Sequence, residues 1–192
     1  MQIKDIEKLI KKNGILTLLE GADNLWIDTG YVTAPLFDFS ALTEDQAYSL
    51  FNISDKERNK IQIGRKKTEP ETFADVVPGE EELAPSVIGL VYRDNELLAF
   101  ESSRGVILIL AEHYAPFTKE DALRLFVRWL DAGYDNPVPL IAVKKGFFLR
   151  GLIEPVSGVL TQAFADTIDN LAAQTRQTVG WIVENAQAKK LI

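Results

Sequence analysis

Arg65, Lys66, Arg93, Arg104, Lys144, Lys145 and Arg150 fall on or beside stretches that read as β-strands. Several cations gathered on one sheet would make a focused pocket for an anion, and Arg104, Lys144, Lys145 and Arg150 are the candidate ligand-binding residues. A plainer role competes, because hairpin turns and edge strands carry Lys and Arg to stay soluble and unpaired. Lys144-Lys145-Gly146 separates the apolar runs 140–143 and 147–153, and glycine supplies the unusual backbone angles of a turn there. That stretch therefore reads first as a turn. Trp26, Tyr31, Trp129 and Trp181 are rings that could stack on a ligand, although Trp129, beside Phe126 and Leu130, is explained more economically by core packing.

Other chemistry is mostly excluded. The chain has no cysteine, hence no disulfide, thiolate metal site or Cys nucleophile. His113 is the only histidine, which rules out two-histidine zinc sites, and no Gly-x-Ser-x-Gly elbow offers it a serine. It reads as a surface or hydrogen-bonded histidine. Neither Gly-x-x-x-x-Gly-Lys nor Gly-x-Gly-x-x-Gly is present to cradle phosphates. Asp75, Glu80, Glu81 and Glu82 lack the alternating acids and central glycine of an EF-hand, and read as part of a solvated loop. No catalytic residue, metal or cofactor is implied, but carboxylate pairs for acid–base work stay open because their spatial pairing is invisible in sequence.

Ile3, Ile6, Leu9 and Ile10 form one stripe of a helix over 3–12 that Asn13-Gly14 ends. A hairpin follows, with strands at about 15–20 and 24–33, closed by Pro35. Thr43, with Gln46 in the reciprocal position, caps a short helix to about Phe51. After a turn near 54–59, Ile61 and Ile63 alternate as on a half-buried strand. Residues 67–85, rich in proline and acid, read as a long mobile acidic loop. A three-stranded meander then spans 86–92, 96–102 and 106–110, and its doubly apolar third strand should run through the middle of a sheet. Leu123, Phe126, Val127 and Leu130 predict a helix over 118–131, capped by Thr118 and stopped by Gly133. A second hairpin spans 139–156.

Residues 159–188 contain no proline and carry apolar residues at helical spacing. A helix of that length runs about 45 Å, against a radius of gyration of about 16 Å for a compact chain of this size. It must cross the body, project from it or break, with Gly180 as a weak point. A projecting apolar stripe needs a partner, so Phe164, Ile168, Leu171, Val179 and Ile182 are the expected interface of a homodimer or higher oligomer. The overall expectation is an α+β chain, mainly an antiparallel sheet of hairpins and meander with short helices and a long C-terminal helix. The α+β domain would occupy 1–157, with 158–192 serving packing or oligomerisation.

With 46% hydrophobic and 26% charged residues among 192, the chain can bury a sizeable core. No apolar run reaches the roughly 18–20 residues that cross a bilayer, and the N-terminus lacks the uninterrupted apolar core of a signal peptide. Net charge is −7, which disfavours a duplex nucleic-acid partner. The balance of 28 acidic to 21 basic residues is too even for a nucleic-acid mimic and fits ordinary solubility.

Two stretches carry a resemblance. Ser103-Arg104-Gly105-Val106-Ile107-Leu108-Ile109 leads to Tyr114-Ala115-Pro116, and Val143-Lys144-Lys145-Gly146 leads to Ile153-Glu154-Pro155-Val156. With "LWIDTGYVTAPL", they make the chain, loosely over 1–157, resemble a group of small, mostly uncharacterised proteins encoded by phages and prophages of Gram-positive bacteria. The resemblance implies a non-enzymatic accessory protein in the bacterial cytoplasm, counter-defence included. It would sequester a small anionic nucleotide signal or block a host defence protein. The alternatives are a metal-dependent hydrolase using only Asp and Glu, and a structural protein of the virion or prophage.

Overall fold

The first helix, α1 (Ile3–Asn13), turns Ile6, Leu9 and Ile10 inward and ends on Gly14. Gly14 has φ 68°, its N–H returns to the Ile10 carbonyl, and a Cβ there would sit 2.9 Å from the Lys60 carbonyl. Only glycine satisfies both demands. The computed structural model describes all residues except 22–23, 69–70, 93, 132–136, 157–165, 169, 172 and 178–192.

Strands β1 (Ile15–Glu20), β2 (Leu25–Asp28) and β3 (Val32–Leu36) follow. The single long strand expected over 24–33 is therefore two, folded at Thr29–Tyr31. Asp28 Oδ1 accepts from Gly30 N–H at 2.9 Å and the Thr29 hydroxyl donates to the Val32 carbonyl, a turn written in the sequence Asp-Thr-Gly. Pro35 does not close the hairpin but lies within β3, opposite Trp26. Helix α2 (Glu44–Leu50) has the expected reciprocal cap between Thr43 and Gln46. The turn expected near 54–59 contains α3 (Asp55–Arg58), and β4 (Gln62–Lys67) pairs parallel to β1.

The meander forms as expected, with β5 (Glu81–Glu82) preceding β6 (Ala84–Tyr92), β7 (Asn95–Ser102) and β8 (Gly105–Leu110). The expected place of its third strand is corrected, since β7 is the middle strand and β8 lies at the edge. β8 is apolar on both sides because Ile107 and Ile109 join the main core while Leu108 packs with Leu97 and Ala99.

Helix α4 (Ala111–Tyr114) and a 3-10 turn at Ala115–Phe117 come next. The helix predicted over 118–131 is overturned: residues Leu123–Leu130 form a strand, β9. Leu123, Phe126, Val127 and Leu130 fit helical spacing, but Leu125 and Val127 also alternate into the core, and the sheet neighbour β10 decides between the two periods. Thr118 caps no helix; its hydroxyl donates back to the Ala115 carbonyl, and Ala122 at φ 56° reverses the chain into β9. β10 (Val138–Lys145) and β11 (Phe148–Ile153) form the expected second hairpin.

The strands make a large mixed sheet, order β4-β1-β2-β3-β11-β10-β9-β5, antiparallel except for β1 with β4, and a smaller sheet β6-β7-β8. The chain is thus α+β with mostly antiparallel pairing. One face of the large sheet joins α1, α2, Phe117 and the small sheet in one core. The other face carries Trp26, Ala142, Leu149 and Leu152, packed against Phe73.

Most of 159–188, where a long C-terminal helix was expected, lies outside the described residues. Within it, 166–168, 170–171 and 173–177 are helical. This piece lies on its own chain: Ile168 is 3% exposed and Arg176 pairs with Glu101 on β7 at 3.0 Å.

Candidate functional site

Strand alternation explains what stands on the outer face of the large sheet. On β10, Ile141 and Val143 enter the main core, so Leu140, Ala142 and Lys144 turn outward; on β9, Phe126 and Arg128 do the same. Arg128 and Lys144 are 1% and 2% exposed, which requires partners. The segment 71–80 provides them. Glu80 pairs with both, reaching Arg128 Nε at 3.1 Å and also accepting from Lys144 Nζ. The Arg128 guanidinium also donates to the carbonyls of Thr72 at 2.7 Å and Ala74 at 2.8 Å. Burial holds Arg128 below the ordinary arginine range, and Glu80 opposes that shift. Asp75 completes the attachment by accepting from the Leu149 N–H at 2.7 Å. The acidic loop is therefore not simply solvated: its Glu80 is largely covered and its segment 71–80 forms a strap across the sheet.

That strap builds one wall of a cleft of about 640 Å³, within the size that holds a drug-sized ligand. Phe73 meets Trp26 edge-on at 5.0 Å. Across the cleft the Arg150 guanidinium lies 5.1 Å from the ring of Phe37, and Phe148 and Asp75 complete the walls. Phe37 and Phe148 are 52% and 64% exposed, so both present open ring area. Arg150 is under-used. Its Nε is buried with no hydrogen-bond partner, and the nearest carboxylate, Glu120, stands at 3.6 Å, too far for a hydrogen bond. Glu120 itself pairs with the N-terminal ammonium of Met1.

The residues expected to bind a ligand separate. Arg150 lines the cleft, whereas Arg104, Lys144 and Lys145 do not. Lys144 is not part of the turn read from the sequence: it belongs to β10 and is consumed by Glu80, and the turn itself is Gly146-Phe147. Lys145 is exposed. Arg104 sits in the β7–β8 turn over Trp129, 4.5 Å from its ring centroid. Arg65 reaches Glu20 and the Leu42 carbonyl on the opposite sheet edge. Arg93 and Trp181 lie outside the described residues, as do Phe164, Val179 and Ile182 of the expected oligomer interface. Of its remaining members, Ile168 is buried and Leu171 is 45% exposed.

His113 also departs from expectation. It is 4% exposed, stacks on Tyr31 at 5.1 Å, and its Nδ1 has no hydrogen-bond partner. Burial pushes it below the ordinary histidine range; Glu112 opposes this and Lys12 adds to it.

Sequence reasoning named Trp26 as a ring that could stack, and Asp75 and Glu80 only as loop acids. It missed Phe37, Phe73 and Arg128, whose roles depend on pairings tens of residues apart. Among the described residues, no three His, Asp or Glu side chains form a set able to hold a metal, and no helix is long and apolar enough to cross a membrane. No family model, curated protein or solved structure matches this chain.

Proposed function

We propose that this protein is a non-enzymatic binding protein that holds a small anionic ligand with an aromatic ring, of the nucleotide class, in the outer-face cleft. Sequestration of such a ligand suits the phage accessory role that the sequence resemblance implies. One observation carries the reading: Arg150, whose Nε makes no hydrogen bond and has only the Glu120 carboxylate 3.6 Å away, sets its guanidinium beside the open ring of Phe37, opposite the Trp26–Phe73 wall. A guanidinium binds phosphate through charge-assisted hydrogen bonds, and the rings suit a base. The net charge of −7 does not argue against this, because at physiological salt distant charges are screened beyond about 8 Å while a contact with Arg150 is not.

Native mass spectrometry of the full chain purified from bacteria tests the reading. The expected result is a retained mass of nucleotide size that is lost on Arg150→Ala. A bare chain that also fails to bind added mono-, di- and cyclic nucleotides would sink it. The same spectrum counts subunits and so tests the homo-oligomer expected from 158–192. A second reading, capping of a host protein, is favoured by Phe147 and Phe148, which stand 79% and 64% exposed at the tip of the second hairpin. Under that reading the chain carries no small molecule, and Phe147→Ser abolishes capture of one defined host protein.

A further inference from the structure

A second cleft, of about 260 Å³, opens where the end of α1, the β2–β3 turn and the stretch after β11 meet; Asn13, Tyr31, His113, Glu154 and Pro155 help line it. Tyr31 forms its entrance. The residue is 48% exposed, and its ring lies nearly parallel to the His113 imidazole, with 14° between the planes. The Glu154 N–H donates to the Tyr31 carbonyl at 2.8 Å, which fixes the carboxylate-bearing residue beside the ring.

The polar groups here are unevenly matched. His113 is 4% exposed and its Nδ1 is buried without a partner. A buried nitrogen in that state is uncommon in folded proteins and calls for an explanation. Among the described residues neither Glu154 nor Asp28 forms an ion pair, whereas Lys12, the one cation lining the cleft, is committed to Glu112 at 2.6 Å. The charge left uncompensated is therefore negative. Glu154 reaches the surface, but partial desolvation in the cleft, and then the nearby Asp28 carboxylate, push it above the ordinary carboxylate range, so a cation arriving there would relieve it.

We propose that this cleft is a binding site for a small organic cation with N–H donors, a guanidinium or amine. The cation stacks on the open face of Tyr31 and donates to Glu154, close enough to His113 for its ring to report the binding. Aromatic faces attract cations, and a planar guanidinium stacks as well. The site differs from the Arg150 cleft in both place and charge, and the proposal does not depend on what occupies that cleft.

The test uses agmatine, which carries both a guanidinium and an amine, with phosphate as the comparison. His113 is the only histidine, so its ring signals in a proton–nitrogen NMR spectrum of the full chain belong to one residue without further assignment. The expected result is a saturable shift of those signals with agmatine and none with phosphate. Glu154→Gln should weaken binding about tenfold or more, the effect of losing one charged hydrogen bond. Glu154 lies on the surface, so this variant should fold; should it not, Tyr31→Ser, at an exposed position, gives the same reading. The absence of a saturable shift, an equal shift in the folded variant, or a shift with phosphate but not agmatine would each overturn the proposal.

Discussion

Close approach at single atoms sets hard limits in this chain. Gly151 on β11 faces the ring of Phe117, and a Cβ there would lie 2.3 Å from Cζ and 2.9 Å from the Thr33 carbonyl. Neither neighbour can yield easily, since Phe117 is fully buried and the other atom is backbone. Gly151→Ala should therefore cost about 1–3 kcal/mol in urea denaturation, and Phe117→Leu in the same chain should recover part of it. His113 makes a different prediction. The unfolded imidazole takes up a proton near pH 6.5, while burial keeps the folded one neutral to lower pH. Just below that pH the unfolded chain binds more protons, so stability falls as pH drops through about 6.5 and levels off once both states are protonated. Melting curves between about pH 7.5 and 5.5 should show this slope, and His113→Phe should flatten it, since no other histidine contributes.

At the scale of elements, the strap over residues 71–80 depends on one acid shared by two buried cations. Removing Glu80 strands Arg128 and Lys144 together, so Glu80→Gln should destabilise by about 3 kcal/mol, the ordinary cost of breaking a buried pair, read by urea denaturation. A cheaper outcome, near zero, would mean the strap lifts and lets water reach both cations. This arrangement also marks where sequence reading stops. α1 was legible because its stripe and its Asn13-Gly14 stop are local, and the Thr43–Gln46 cap and the second hairpin were legible for the same reason. β9 was not, because Leu123–Leu130 satisfies both helical and alternating spacing, and only its neighbours in the sheet choose. The cleft was half legible: Arg150 and Trp26 stood out by type. Glu80, however, lies 64 residues from Lys144, and nothing local announces that partnership.

For the molecule as a whole, the large sheet has two halves, β4-β1-β2-β3 from the first 67 residues and β11-β10-β9-β5 from 81–153. The Arg150 cleft spans them, since Trp26 and Phe37 come from the first half and Phe148 and Arg150 from the second. A ligand held there would therefore bridge the halves and add its binding energy to their association. The halves meet along β3 and β11, where the paired residues are Val32 with Ile153 and Thr33 with Leu152. During synthesis the outer edge of β3 is made early, and its partner emerges only roughly 115 residues later, on the order of ten seconds at ordinary translation rates. For that interval the nascent chain presents an open strand edge beside an apolar face. The seam between Thr33 and Leu152 is thus where a ribosome-bound chain is exposed to mispairing, and where a chaperone would have reason to act.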